Sequence, residues 1–173
     1  LVVTDENFCE YIEVFTITEP LPLVTTLVKK ENNLCFGDAK GTIQINVAGG
    51  TAPYRYAWTG PNGYSSTSLN LSNLAAGSYT LTITDAVNCK LVKTYEMRGP
   101  DPIAVDAVKQ NVLCGGELSG NIFIRNVTGG TGTYEFLWLK DGVGEIKRTR
   151  VPEDLRNIGP GRYILVVTDQ NFC

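Results

Sequence analysis

Apolar and polar residues alternate with a period of two along much of the chain. Ile43, Ile45 and Val47 alternate with Thr42, Gln44 and Asn46, and Tyr79, Leu81 and Ile83 alternate with Thr80, Thr82 and Thr84. This is the pattern of strands that bury one face. No stretch keeps a helical spacing. Gly49-Gly50, "GPNG" at 60–63, Asp85 to Asn88 and Gly159 to Gly161 supply the reversals between such runs. Six or seven short strands in each stretch of about 80 residues predict an all-β protein, a β-sandwich of immunoglobulin-like type. Trp58 and Trp138 then fall on a central strand, sharing its face with Tyr54 and Tyr56 and with Tyr134 and Phe136. Exposed rings of this kind would suit stacking on sugars, but aromatic residues at alternate positions beside an equally apolar strand are better read as sandwich core. Tyr79 and Tyr163, just after Gly77 and Gly161, read as corner tyrosines that close the turn before the next strand.

The chain repeats itself. "LVVTDENFC" (1–9), "LTITDAVNC" (81–89) and "LVVTDQNFC" (165–173) start 80 and then 84 residues apart. "GTIQINVAGGTAPYRYAW" (41–58) returns as "GNIFIRNVTGGTGTYEFLW" (120–138), with one extra residue before the Gly pair. A fixed period of this size indicates an array of structural units. Each joint carries a proline pair, Pro20 with Pro22 and Pro100 with Pro102, which fixes φ, removes amide donors and favours a short, stiff connection. The predicted organisation is the C-terminal strands of a preceding unit at 1–19, a complete β-sandwich repeat at 20–99, and a second repeat lacking its final strand at 100–173. "EYIEVFTIT" at 10–18 answers "KLVKTYEMR" at 90–98 as such a final strand. The expectation is a slice of a longer tandem array. Covalent continuation is expected to fill both gaps in the longer array, and an isolated chain is expected to be either oligomeric, residues 10–18 of one copy completing the 114–173 unit of the next, or frayed at its ends.

Composition narrows the function classes. A net charge of −3, a pI near 5.0 and no basic run longer than Lys29-Lys30 leave nothing to neutralise a phosphate backbone, so nucleic acid is not an expected partner. No apolar stretch approaches the roughly 20 residues that cross a bilayer. There is no histidine, hence no Ser/His or Cys/His nucleophile pair and no histidine general base. "GGTGTYEF" at 129–136 lacks the ending and the following helix of a phosphate loop. Asp38, Glu117, Glu153 and Asp154 sit singly or adjacently in predicted loops. The reading is not an enzyme, and with no cofactor.

Cys35, the stretch from Gly41 to Trp58, and "LSNLAAGSYTLTITDAVNC" closing on Cys89 together resemble the SprB-type repeat of giant surface adhesins of gliding bacteria. The second copy, Cys114 to Cys173, fits the same pattern, with Thr133 in place of the usual proline and "KDGVGEIKRTRVPED" lengthening its middle. The resemblance covers essentially the whole chain. It implies a very long, extracellular cell-surface protein exported by the type IX system, moved along the cell surface and used as an adhesin. Neighbouring repeats, and a surface polysaccharide or other adhesion target, are the implied partners.

Five cysteines without close CxxC pairs or histidine point to disulfides rather than zinc. Pairing within units gives Cys35 with Cys89 and Cys114 with Cys173. Pairing across the joints gives Cys9 with Cys35 and Cys89 with Cys114. Loop entropy favours either by roughly 3.5 to 4 kcal/mol and does not decide. The within-unit scheme is preferred because both cysteines belong to every unit. Asp5 with Asn7, and Asp169 with Asn171, have a spacing that suits calcium at a joint, but Val87 breaks it beside Asp85, and a side chain capping its own turn explains all three more simply. On the outward face of the second repeat, Leu137, Ile164 and Val166 replace the smaller or more polar Ala57, Thr80 and Thr82 of the first. They form a candidate interaction patch unless the 139–154 segment covers them. The functional expectation is a spacer and adhesive stalk in surface attachment and gliding. A carbohydrate-binding module of a secreted glycan-degrading enzyme is the alternative.

Overall fold

The computed structural model describes residues 1–173. The chain is all-β, its one helical turn being the 3-10 turn Pro61–Gly63. Fifteen strands follow in order: β1 (Val2–Thr4), β2 (Glu10–Ile12), β3 (Val24–Glu31), β4 (Gly41–Ala48), β5 (Arg55–Thr59), β6 (Ser65–Ser66), β7 (Leu71–Leu74), β8 (Gly77–Thr84), β9 (Lys90–Met97), β10 (Ala104–Gln110), β11 (Gly120–Thr128), β12 (Tyr134–Lys140), β13 (Gly144–Thr149), β14 (Leu155–Ile158) and β15 (Tyr163–Asp169). The first repeat stacks a sheet β3-β4-β7 on a sheet β6-β5-β8-β9, and the second stacks β10-β11-β14 on β13-β12-β15. This is the immunoglobulin-like sandwich that the two-residue period and the spacing of the turns predict.

In the first repeat the alternation becomes burial. Ile43 and Ile45 on β4, and Tyr79, Leu81 and Ile83 on β8, are sealed between the sheets with Trp58, Leu71, Leu74 and Met97. Trp58 is 1% exposed and Trp138 3%, so the aromatic stripe is core, as the strand pattern implied. Both indoles donate their N–H to a carbonyl across the sheet edge, Trp58 to Ser68 and Trp138 to Glu153. Tyr79 donates to Ala75 O at 3.1 Å and Tyr163 to Gly159 O at 3.0 Å, the back-bonded geometry of a corner tyrosine.

The two repeats solve one register problem in opposite strands. In the first, Leu27 pairs with Ile45 and Lys29 with Gln44, so the extra residue is Val28 on β3. In the second, Asp106 pairs with Asn126 and Ala107 with Ile124, so it is Arg125 on β11. The additional residue seen before the second Gly pair is thus absorbed as a β-bulge, which keeps Ile122, Ile124 and Val127 facing inward.

The 139–154 segment does not fold over the outer face of the second repeat. Its middle forms β13 and extends the same sheet beside β12. At the head, β1 pairs with β2 only. The strand read at 10–18 is regular from Glu10 to Ile12, with the ladder closed by Leu1 and Glu13. Val14, Phe15 and Ile17 beyond it are exposed and form no ladder. In the first repeat β9 pairs with β8 along its length and brings Met97 into the core. The outer edge of β15 carries no such strand, and fewer side chains of the second repeat are fully buried.

Candidate functional site

The connection between the repeats is the part of the molecule built with the most specific chemistry. Three polar or charged side chains are buried in the whole chain, Asn33, Asp85 and Asp169, and each lies two or four residues before a cysteine. Asn33 anchors the exit end of the first repeat. Its Nδ2 donates to Leu74 O at 2.9 Å, its Oδ1 accepts from the amides of Lys40 and Gly41, and its own amide donates to Arg98 O. The segment that carries Cys35 is therefore tied to β4, to β7 and to the chain leaving β9.

Asp169 anchors the entry end of the second repeat. One carboxylate oxygen accepts from the amides of Asn171 and Cys173, at 2.8 and 3.2 Å, and the other from the amide and hydroxyl of Thr131, at 2.8 and 3.0 Å. Asp85 does the same work in the first repeat, for Val87, Cys89 and Thr51, and Asp5 caps its own turn at the head. Each aspartate that invited a calcium reading thus spends one oxygen on backbone amides of its own turn, and Asp85 and Asp169 spend the other on Thr51 and Thr131 beside the Gly pairs. The Gly pair completes the entry end: a Cβ on Gly129 would lie 1.9 Å from Pro102 O, and Gly130 donates its amide to Asp101 O. Only glycine, at φ 77°, allows that approach.

Burial pushes the Asp169 carboxyl up, but the amides of Cys173, Thr131 and Asn171 and the Thr131 hydroxyl outweigh it and hold the group below its ordinary value. A depressed folded pKa contributes stability that is present above the unfolded value, about 3.9, and is lost as pH falls through the folded one. Urea denaturation followed by Trp138 fluorescence should therefore show the second repeat losing stability below about pH 4. Asp169→Asn should flatten that acid limb and lower stability at neutral pH by about 1 to 3 kcal/mol, since the amide nitrogen cannot accept from Thr131.

These two anchors meet at a disulfide that the sequence reading did not pair. Cys35 is bonded to Cys173, with Cα atoms 5.5 Å apart, across 138 residues. Cys9, Cys89 and Cys114 are free and exposed. The within-unit scheme fails on strand length: Cys35 lies at the end of the first sandwich where β4 begins, and Cys89 at the end where β4 stops. Eight residues of strand separate those ends by about 25 Å, against the roughly 7 Å limit on Cα separation in a disulfide. Cys114 and Cys173 are divided in the same way by β11. Pairing Cys89 with Cys114 fails more widely, because they occupy the entry end of one repeat and the exit end of the next.

Phe36, Pro100, Pro102, Ile103 and Val167 line a cavity of about 300 Å³ beside the bond. Noncovalent support across the joint is slight, Asn171 Nδ2 reaching Leu34 O at 3.5 Å. The proline pair pointed to a stiff joint, whereas Phe36 and Val167 carried no signal of their own.

Leu137, Ile164 and Val166 do share the outer face of the second repeat, Leu137 opposite Val166 and Leu139 opposite Ile164. Leu137 and Ile164 are half-buried, while Val166 is 39% exposed. Arg148, opposite Leu137 on β13, pairs with both Glu135 and Glu145, at 2.9 and 3.1 Å. The patch is therefore narrow and bordered by charge.

Among solved structures, the chain is similar to the three N-terminal domains of the highly immunogenic outer capsid protein (Hoc) of bacteriophage RB49. That match has 16% identity over 84% of this chain and 54% of that one, with a TM-score of 0.44. The chain spans about half the length of that structure, and a similarity this distant carries no functional argument. No curated protein matches the chain. The SprB repeat family model matches residues 28–63 and 107–143, the stretches from the first strand of each sandwich through its central tryptophan, with Cys35 and Cys114 at equivalent places. The SprB repeat model is thus matched twice in tandem, once in each sandwich.

Proposed function

We propose that the chain is a stretch of stalk from a cell-surface adhesin, holding an adhesive region away from the cell during surface attachment and gliding, and exported by the type IX system. The observation that carries this reading is the covalent joint between two repeats that each match the SprB model. A disulfide implies an oxidising compartment. A bond that joins two repeats, rather than bracing one, serves an object whose use depends on keeping successive units aligned. The rest of the molecule fits a passive element: Trp58, Tyr79, Phe136 and Trp138 fill cores, and the buried carboxylates cap turns. The partners in this reading are neighbouring repeats and, at some other part of the adhesin, a polysaccharide or other surface target.

A carbohydrate-binding module needs ring faces open to a sugar, and the two tryptophans are closed between sheets. On a glycan array the purified chain is expected to show no saturable binding, and antibodies raised against it are expected to label intact cells. Saturable binding to a polysaccharide, or labelling only after permeabilisation, overturns the stalk reading.

A further inference from the structure

The position of the Cys35–Cys173 bond has a mechanical consequence. Tension applied along the chain enters through residues 1–35 and reaches a branch at Cys35. One route is the polypeptide from 36 to 172, which holds every strand from β4 to β15. The other is a single disulfide between Cα atoms 5.5 Å apart. In a covalent network the shorter route becomes taut first and the longer one stays slack. We propose that this disulfide is a load shunt, carrying force past the bridged strands β4 to β15 so that they are not drawn out when the chain is stretched.

The mounting of the two cysteines supports this. A shunt needs both ends fixed to folded bodies, because a cysteine on a slack loop would transmit force only after the loop had been drawn out. Cys35 lies two residues from Asn33, whose side chain and amide are bonded to Leu74, Lys40, Gly41 and Arg98 at the exit end of the first repeat. Cys173 gives its own amide to buried Asp169, which also holds Thr131. The taut route thus runs through two buried polar clamps, and noncovalent contact across the joint is too slight to share the load. What remains extensible is the segment ahead of Cys35: the β1-β2 hairpin, the stretch through Pro20 and Pro22, and β3, which is an edge strand.

Single-molecule stretching tests this directly. The chain is held by its N-terminus and by a handle following Cys173, with the free thiols of Cys9, Cys89 and Cys114 capped by iodoacetamide. Without reductant, extension should release only the length ahead of Cys35. With dithiothreitol present, unfolding of the two sandwiches should add the 138 bridged residues, roughly 450 to 500 Å of contour at about 3.3 to 3.6 Å per residue. Cys35→Ser should show that added length without reductant. If the oxidised chain releases the same length as the reduced chain, or if Cys35→Ser behaves like the oxidised parent, the shunt does not exist. The proposal deepens the stalk reading, but either of those failures would leave the glycan-array and cell-labelling results standing.

Discussion

Replacing Trp58 with alanine is expected to lower the stability of the first repeat by about 3 to 5 kcal/mol. The indole sits on β5 opposite Leu81 of β8 and Ser66 of β6, between the two sheets and 1% exposed. Its ring centroid is 5.6 Å from that of Tyr95, and its N–H satisfies Ser68 O at 2.9 Å. Alanine would leave a cavity that the rigid ladders on either side cannot close, together with a carbonyl stripped of its donor. Of the two tryptophans in the chain, one lies in each repeat, so in the variant the fluorescence of Trp138 reports the second repeat alone while circular dichroism reports both. The expected result is an early unfolding step in urea that Trp138 does not register. Unchanged stability would remove Trp58 from the core.

The period of two was enough to locate β4 and β8 and to say which of their residues face inward, because a half-buried strand has no other way to sort its side chains. The corner tyrosines and the Gly-Gly turns were legible for a related reason: Tyr79 and Gly129 each meet a local geometric demand that few residues can satisfy. The disulfide was not legible from spacing, since loop entropy varies slowly with loop length and scores the competing schemes alike. A signal was nevertheless present in the order of strands. β3 runs toward the exit end of its sandwich and β8 runs back toward the entry end, so the cysteines that follow them must lie at opposite ends. Counting reversals from Cys35 to Cys89 rules out the pair before any coordinate is known. The course of 139–154 could not be read, because a polar, charged segment serves equally as a covering loop or as the exposed edge strand it forms as β13.

Opening the Cys35–Cys173 bond is expected to destabilise both repeats together. A cross-link that closes 138 residues removes loop-closure entropy from the unfolded chain worth about 5 kcal/mol in the chain-entropy view, and measured values for native disulfides run from about 2 to 5 kcal/mol. Every strand of the second sandwich, and every strand of the first except β3, lies inside the closed loop, so the loss should fall on both unfolding signals. Cys35→Ala and reduction of the parent should lower the midpoints of both tryptophan signals in urea to a similar extent, and the two treatments should not add. Cys89→Ala and Cys114→Ala supply the contrast. Both thiols are exposed and unbonded, so neither substitution should move either midpoint by more than about 0.5 kcal/mol. Should Cys89→Ala or Cys114→Ala reproduce the effect of reduction while Cys35→Ala leaves stability intact, the bond would have to be reassigned within the repeats. The sandwich ends that hold those cysteines would then have to lie within disulfide reach of each other, which the eight-residue β4 and nine-residue β11 do not allow.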